Sequence, residues 1–191
     1  MKNLEYIPKG KIDHYSIMIA SKYFSSINDF INLELCSPKF KGNVERFHFN
    51  PISLNEKTIK YFKSLETLHL YSKEDVLFLD NKKIIRRILW EEIEYEEYIK
   101  IENKEEIEFK KVRMNVNDIY NLNEIPQPIN ILYNLNRVGD REYSRTITKI
   151  TLPQQIKKLE KYCLTYYEYC EEIQMGNEIE EIGEGCFAGN Y

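Results

Sequence analysis

At 191 residues the chain is long enough to bury a sizeable core, in one domain or two small ones. Its 42% hydrophobic and 30% charged residues exclude a disordered chain, and a net charge of −4 argues against a nucleic-acid binder, which needs clustered Lys and Arg to displace counterions from phosphates. No stretch approaches the roughly 18 apolar residues of a membrane helix, and four cysteines without a CxxC or metal-ligand spacing fit a reducing compartment.

The opening segment, residues 1–24, has no continuous apolar run of signal-peptide length, because Asp13, His14 and Ser16 interrupt it. The expected location is the cytoplasm; a cell-surface location would need a route without a signal peptide. Two helices are predicted next. Tyr15, Met18, Ile19 and Tyr23 approximate one helical stripe, and Ser26 with Asp29 forms a capping-box start for a second helix that Pro38 ends. Phe30 and Leu33, with Ile31 as a further candidate, are expected to face inward.

This pair of helices resembles a divergent F-box: Asp29-Phe30 stands at the family's Asp-Leu pair and Phe40 at its later aromatic. Leu33, Leu35 and Cys36 fall on the apolar positions between them, and Ile17, Met18 and Phe24 on those of the first helix. The resemblance implies docking on a Skp-type adaptor of a cullin ubiquitin ligase. The simpler reading is a cap, residues 1–43, over the open end of a repeat stack.

Two half-buried strands are predicted from alternation, VERFHFNPI at 44–52 and LETLHLYS at 65–72. Between them Asn55 can cap a short helix carrying Ile59, Tyr61 and Phe62. Strand, helix and parallel strand in so short a span read as one turn of a leucine-rich repeat. Side by side, the strands would project His48 and His69 from one exposed face, where two imidazoles could share a metal. No third ligand can be named, so solvent-facing residues are expected and no metal or other cofactor.

A charged insertion is expected at about 73–110 within an irregular repeat-like region, 44–122. Its stretch 90–111 holds nine Glu against four Lys, with no His, Arg or nucleophile beside them, and reads as a solvated face. KVRMNV at 111–116 is a further predicted strand and puts Arg113 on the ladder face with His48 and His69.

From residue 123 to 191 the chain repeats itself. A shift of 23 residues pairs Ile150 with Ile173, Leu152 with Met175, Ile156 with Ile179, Leu159 with Ile182, Cys163 with Cys186 and Leu164 with Phe187. Ile125, Pro126, Ile129 and Leu132 fit an earlier unit with a few extra residues. This spacing, above all IGEGCFAGN, resembles the BspA-like leucine-rich repeats, a class abundant in bacterial surface proteins and amoebal parasites; the order of the whole chain resembles amoebal members. The last unit reads as cut off in mid-turn, which leaves an apolar end open to end-to-end self-association.

The reading is therefore an α/β fold, a short leucine-rich-repeat solenoid with an amino-terminal helical cap. No phosphate loop, nucleophile elbow, zincin or EF-hand pattern occurs, so a non-enzymatic protein-binding scaffold is expected. An F-box-type adaptor and a cell-surface adhesion protein are its two versions.

Overall fold

The computed structural model describes residues 12–118, 124–134 and 147–190. The leader reading rests partly on residues 1–11 and the last repeat includes Tyr191; both lie outside the described residues, as does the predicted start of the repeats at Asn123. The chain divides after Ile88 into two compact units.

In the first unit, helix α1 spans His14–Ser21 and α2 spans Ile27–Cys36. Asp29 closes the predicted capping box, its Oδ2 accepting from the Ser26 backbone N–H and from Ser26 Oγ, each at 2.9 Å. The stripe predicted for α1 is not its buried face: Tyr15 and Tyr23 are exposed, and the buried residue is Ser21, which accepts from Asn43 Nδ2 at 2.9 Å. Asp13 Oδ1 accepts from Ser16 N–H at 2.6 Å at the start of this eight-residue helix and Ser21 bonds Asn43 at its end, so polar links hold both ends.

Phe30 is the centre of this unit, with ring centroids of Phe24, Phe47 and Phe62 at 5.0, 5.7 and 5.9 Å in edge-on geometry. The strand predicted at 44–52 is largely absent. Val44–Arg46 is a 3-10 turn, and one parallel bridge, Phe49 to Thr67, is what pairs with β1 (Thr67–Leu70). Asn55 does cap, its Oδ1 accepting from the Lys57 and Thr58 N–H groups, but the helix it starts is a single 3-10 turn, Ile59–Tyr61. Beyond β1, Ile85 N–H and Arg86 N–H donate to the Glu66 carbonyl, which sets β1 beside the start of β2 (Arg86–Glu94).

Nine residues of the stretch read as a charged insertion are thus strand β2. Its Arg87 is buried because Nε and Nη2 donate to the carbonyls of Leu77 and Phe78 at 2.8 and 3.0 Å.

The second unit continues through a one-turn helix α3 (Tyr95–Tyr98), β3 (Glu108–Asn115), β4 (Ile131–Tyr133), β5 (Lys149–Thr151), β6 (Lys158–Leu159), β7 (Glu172–Gln174) and β8 (Glu181–Ile182). Neighbours in the larger sheet run β2-β3-β4-β6-β8, and β5 pairs with β7 in a second sheet. The pairs β3–β4, β4–β6, β6–β8 and β5–β7 are parallel. Ile150 meets Ile173, and Leu159 meets Ile182, which is the 23-residue shift of the sequence; Leu132 meets Leu159, as the earlier unit requires. Val112, Leu132 and Leu159 are fully buried along one side of this ladder. Each such side chain removes apolar area equivalent to about 1.5–3 kcal/mol.

Backbone geometry repeats with the same period. Tyr162 and Tyr166 have φ of +58° and +62°, and 23 residues on Gly185 and Gly189 have +64° and +79°. A left-handed position is thus built into the turn, filled by tyrosine once and by glycine once. The tyrosine rings lie over the glycines, where an added Cβ on Gly185 would sit 2.5 Å from Tyr162.

Ion pairs follow the register too. Lys149–Glu172, Lys157–Glu180, Lys158–Glu181 and Lys161–Glu184 each join a lysine to the glutamate at the same position of the next turn, at 2.9–3.4 Å. Exposed pairs stabilise by up to about 1 kcal/mol each, so their main role is to favour this register over a slipped one. Lys158→Glu should lower the melting temperature slightly, and adding Glu181→Lys should restore most of the loss. A double variant no better than the single one would show that the pair does not couple.

Candidate protein-interaction face

Alternation along the parallel strands turns Val112, Leu132 and Leu159 inward and leaves Arg113, Tyr133 and Lys158 on the opposite side. Register places Arg113 beside Ile131, Ile131 beside Lys158 and Lys158 beside Glu181. From β2, Trp90, Glu92 and Glu94 reach the same side, since Trp90 and Glu92 share a cavity with Ile131 and Lys158 and Glu94 meets Arg113.

Arg113 lies among three carboxylates on this face. Its Nη1 lies 2.7 Å from Glu92 Oε1 and 3.7 Å from Glu160 Oε1, while Nε approaches Glu94 Oε1 at 3.0 Å without hydrogen-bond alignment. The guanidinium carbon sits 3.7 Å above the Tyr133 ring, and Tyr133 Oη donates to Glu94 Oε2 at 3.0 Å. Burial acts to lower the Arg113 pKa, but the Glu92 hydrogen bond and the charges of Glu160, Glu94 and Glu92 outweigh it and hold the group above its ordinary value. Burial, then the hydrogen bond to Glu94, raises the Tyr133 phenol, which therefore stays a neutral donor. The glutamates read as having no Arg beside them do have one, brought across from β3.

Two cavities flank this cluster. One, of about 340 Å³ toward the starts of the strands, is lined by Trp90, Lys111, Ile131, Lys157 and Glu180 among others; Trp90 is 41% exposed and Lys110 Nζ lies 5.8 Å from its ring. The other, of about 300 Å³ toward their ends, is lined by Glu94, Tyr95, Glu96, Met114, Asp118 and Tyr133 among others. Polar and aromatic side chains on a rigid ladder can bind a protein surface; the Glu–Arg cluster is tied up in pairs rather than poised for proton transfer.

His48 and His69 belong to the first unit and do not form the expected pair. The bridge register puts His48 beside Glu66, with Nδ1 to Oε2 at 3.3 Å, and His69 stacks on Phe49 at 5.0 Å. Among the described residues no group of three or more His, Cys, Asp or Glu side chains is arranged to hold a metal ion, and no helix is long and apolar enough to cross a membrane.

The F-box-like residues divide by burial. Phe30 is 1% exposed and belongs to the aromatic core, and Asp29 is held in its capping box; Ile17, Met18, Phe24, Leu33 and Phe40 are half-buried, and Leu35 is 78% exposed. Ile27, Ile31, Leu35, Pro38 and Tyr61 line a cavity of about 510 Å³ floored by Phe30.

Cys163 and Cys186 stack at equivalent positions as free, buried thiols, and Leu164 N–H donates to the Cys186 carbonyl at 2.8 Å. The neighbouring Cys186 thiol and burial push the Cys163 thiol far above its usual range, so it acts as a small packed hydrophobe.

Three asparagine side-chain-to-backbone links escaped sequence reasoning. Asn130 Oδ1 accepts from Val112 N–H at 3.0 Å while Nδ2 donates to the Lys110 carbonyl; Asn50 bonds the His69 backbone and Asn190 that of Tyr167 and Leu164 in the same manner. A recurring Asn in the leucine-rich-repeat consensus was the available signal.

The description "BspA type leucine rich repeat region", in six copies, matches residues 91–191, just over half the chain. The chain belongs to the BspA-type leucine-rich-repeat family. The matched repeats of this BspA-type protein thus begin inside the stretch read as a charged insertion, within β2. No curated protein and no solved structure matches the chain.

Proposed function

We propose that this BspA-type protein is a non-catalytic protein-binding scaffold that engages its partner through the ladder face centred on Arg113. The observation that carries the reading is the clustering of an exposed Trp, a buttressed Arg–Tyr–Glu cluster and two cavities on one side of a rigid parallel ladder. In the finer version the protein acts in the cytoplasm as an F-box-type substrate adaptor, with α2 docking on a Skp-type protein. The apolar cavity beside exposed Leu35 and the F-box-like placing of Asp29, Phe30 and Phe40 support it.

Affinity capture from the source cell separates the parts. Trp90→Ala should weaken the ladder-face partner tenfold or more, by about 2 kcal/mol for an interfacial Trp. Leu35→Asp should lose the Skp-type adaptor while the fold persists, because the side chain is exposed. Recovery of both sets by both variants would reject the reading. The family match also favours a cell-surface adhesion role; labelling of intact cells by an impermeant reagent would select it over the cytoplasmic version. End-to-end self-association of the last turn is a further proposal, read out by sedimentation.

A further inference from the structure

We infer that Cys163 and Cys186 form a peroxide-sensitive redox pair whose disulfide ties the turn carrying β8 to the turn carrying β6. The inference stands apart from the ladder-face reading. Backbone bonds fix how the two residues face each other. Strands β6 and β8 pair in parallel with Leu159 opposite Ile182, and four residues further along each segment come Cys163 and Cys186. Tyr162 N–H donates to the Glu184 carbonyl at 3.1 Å and Leu164 N–H to the Cys186 carbonyl at 2.8 Å, so the register holds on both sides of Cys163. Each cysteine also closes the same local turn, Cys163 N–H donating to the Glu160 carbonyl and Cys186 N–H to that of Gly183. Adjacent parallel backbones lie about 4.8 Å apart, inside the roughly 4.4–6.8 Å that a disulfide spans between Cα atoms. Both residues are buried free thiols, 0% and 2% exposed, and their side chains hydrogen-bond to each other.

The two sulfurs take different parts. The Cys163 S–H donates to Cys186 and, with the N–H groups of Leu164 and Cys163, pulls the Cys186 thiol below its ordinary pKa against the opposing effect of burial. Cys163 is raised by the same contact and by burial, and keeps its proton. Cys186 is therefore the attacking sulfur and Cys163 the resolving one. Toward hydrogen peroxide the Cys186 thiolate, its proton given to solvent, forms an S–O bond as the O–O bond breaks, and the released hydroxide takes up a proton as water. Cys163 sulfur then attacks the Cys186 sulfenic acid; the S–S bond forms as the S–O bond breaks, and the second hydroxide leaves with the Cys163 proton as water. Two thiols lose two electrons and two protons, and one peroxide becomes two waters. Burial of both residues favours so small an oxidant over a bulky disulfide. Cys36 is exposed, and Cys170 Sγ is turned to the Glu172 carbonyl at 3.3 Å, so neither competes from a stacked position.

The test treats the intact chain with hydrogen peroxide, alkylates the remaining thiols under denaturing conditions and reads the products by mass spectrometry after cleavage at glutamate. Glu168, Glu171 and Glu184 put Cys163, Cys170 and Cys186 on separate peptides. A Cys163–Cys186 linkage should be the main disulfide, dithiothreitol should reverse it, and the oxidised chain should melt roughly 10 °C above the reduced one. Cys163→Ala should stop at a Cys186 sulfenic acid that dimedone traps, and Cys186→Ala should leave Cys163 a free thiol. Peroxide that oxidises exposed Cys36 while Cys163 and Cys186 stay free in the unchanged chain would overturn the inference, whatever the variants do to folding. A main disulfide that includes Cys36 or Cys170 would overturn it too, as would dimedone labelling of Cys163 in Cys186→Ala as fast as of Cys186 in Cys163→Ala.

Discussion

Leu159→Ala should lower the unfolding free energy of the repeat unit by about 2–5 kcal/mol, the range for emptying a fully buried leucine site. Leu159 has no exposure and lies between Leu132 on one side and Ile182 on the other. Parallel turns on both sides hold the cavity open, since each is fixed by backbone bonds from Glu160 N–H to Leu132 and from Gly183 N–H to Leu159. The contrast within the repeat is the sharper part of the prediction. Ile182 occupies the same position one turn on but is 48% exposed, so Ile182→Ala should cost less than about 1 kcal/mol. Chemical denaturation of both variants, followed by circular dichroism, measures the difference. Equal losses would mean that the two positions are not stacked as described.

Phe30→Ala carries the second large effect, about 3–5 kcal/mol on the first unit. Its ring touches those of Phe24, Phe47 and Phe62, which come from three separate segments, so the loss removes edge-on contacts as well as area. Limited proteolysis should then cut within residues 12–88 before it cuts the repeats. Leu35→Ala, five residues along α2 but exposed, should leave the cleavage pattern unchanged. Loss of adaptor binding on changing Phe30 would therefore say little about docking, and Leu35 is the informative position.

The repeats at 150–190 were legible because six apolar positions recur at one spacing, and a parallel stack converts constant spacing into register. The capping box at Ser26 and Asp29 was legible for a similar reason, being set by neighbours in sequence. Strand β2 was not. Its inward positions are Arg87, Leu89, Glu91 and Ile93, and two charges among four hide the alternation; Arg87 is tolerated inside because the carbonyls of Leu77 and Phe78 accept from it, which only the folded loop supplies. The histidine pair failed on register. The bridge at Phe49 and Thr67 sets the two segments so that His48 reaches Glu66, a choice made by tertiary packing rather than by the pattern of either segment.

The candidate site divides along the same line. Arg113 could be placed on the ladder face by alternation alone, but its partners lie 21 and 19 residues earlier, and 20 and 47 later, in the chain: Glu92, Glu94, Tyr133 and Glu160 meet it only through β2, β4 and β6. Likewise Phe30 and Leu35 fit one motif equally well, and burial alone separates the core residue from the exposed one. The sequence of a repeat protein encodes its stacking more openly than its binding surface, because outward residues are free of the packing that enforces the period.

The measurement that addresses the central claim most directly is site-specific photo-cross-linking in the source cell. A photoreactive residue replacing Lys158, on the ladder face, should form a partner adduct, and one replacing Tyr169, exposed in the return segment of the same turn, should form none. Adducts from Tyr169 with none from Lys158 would contradict the account.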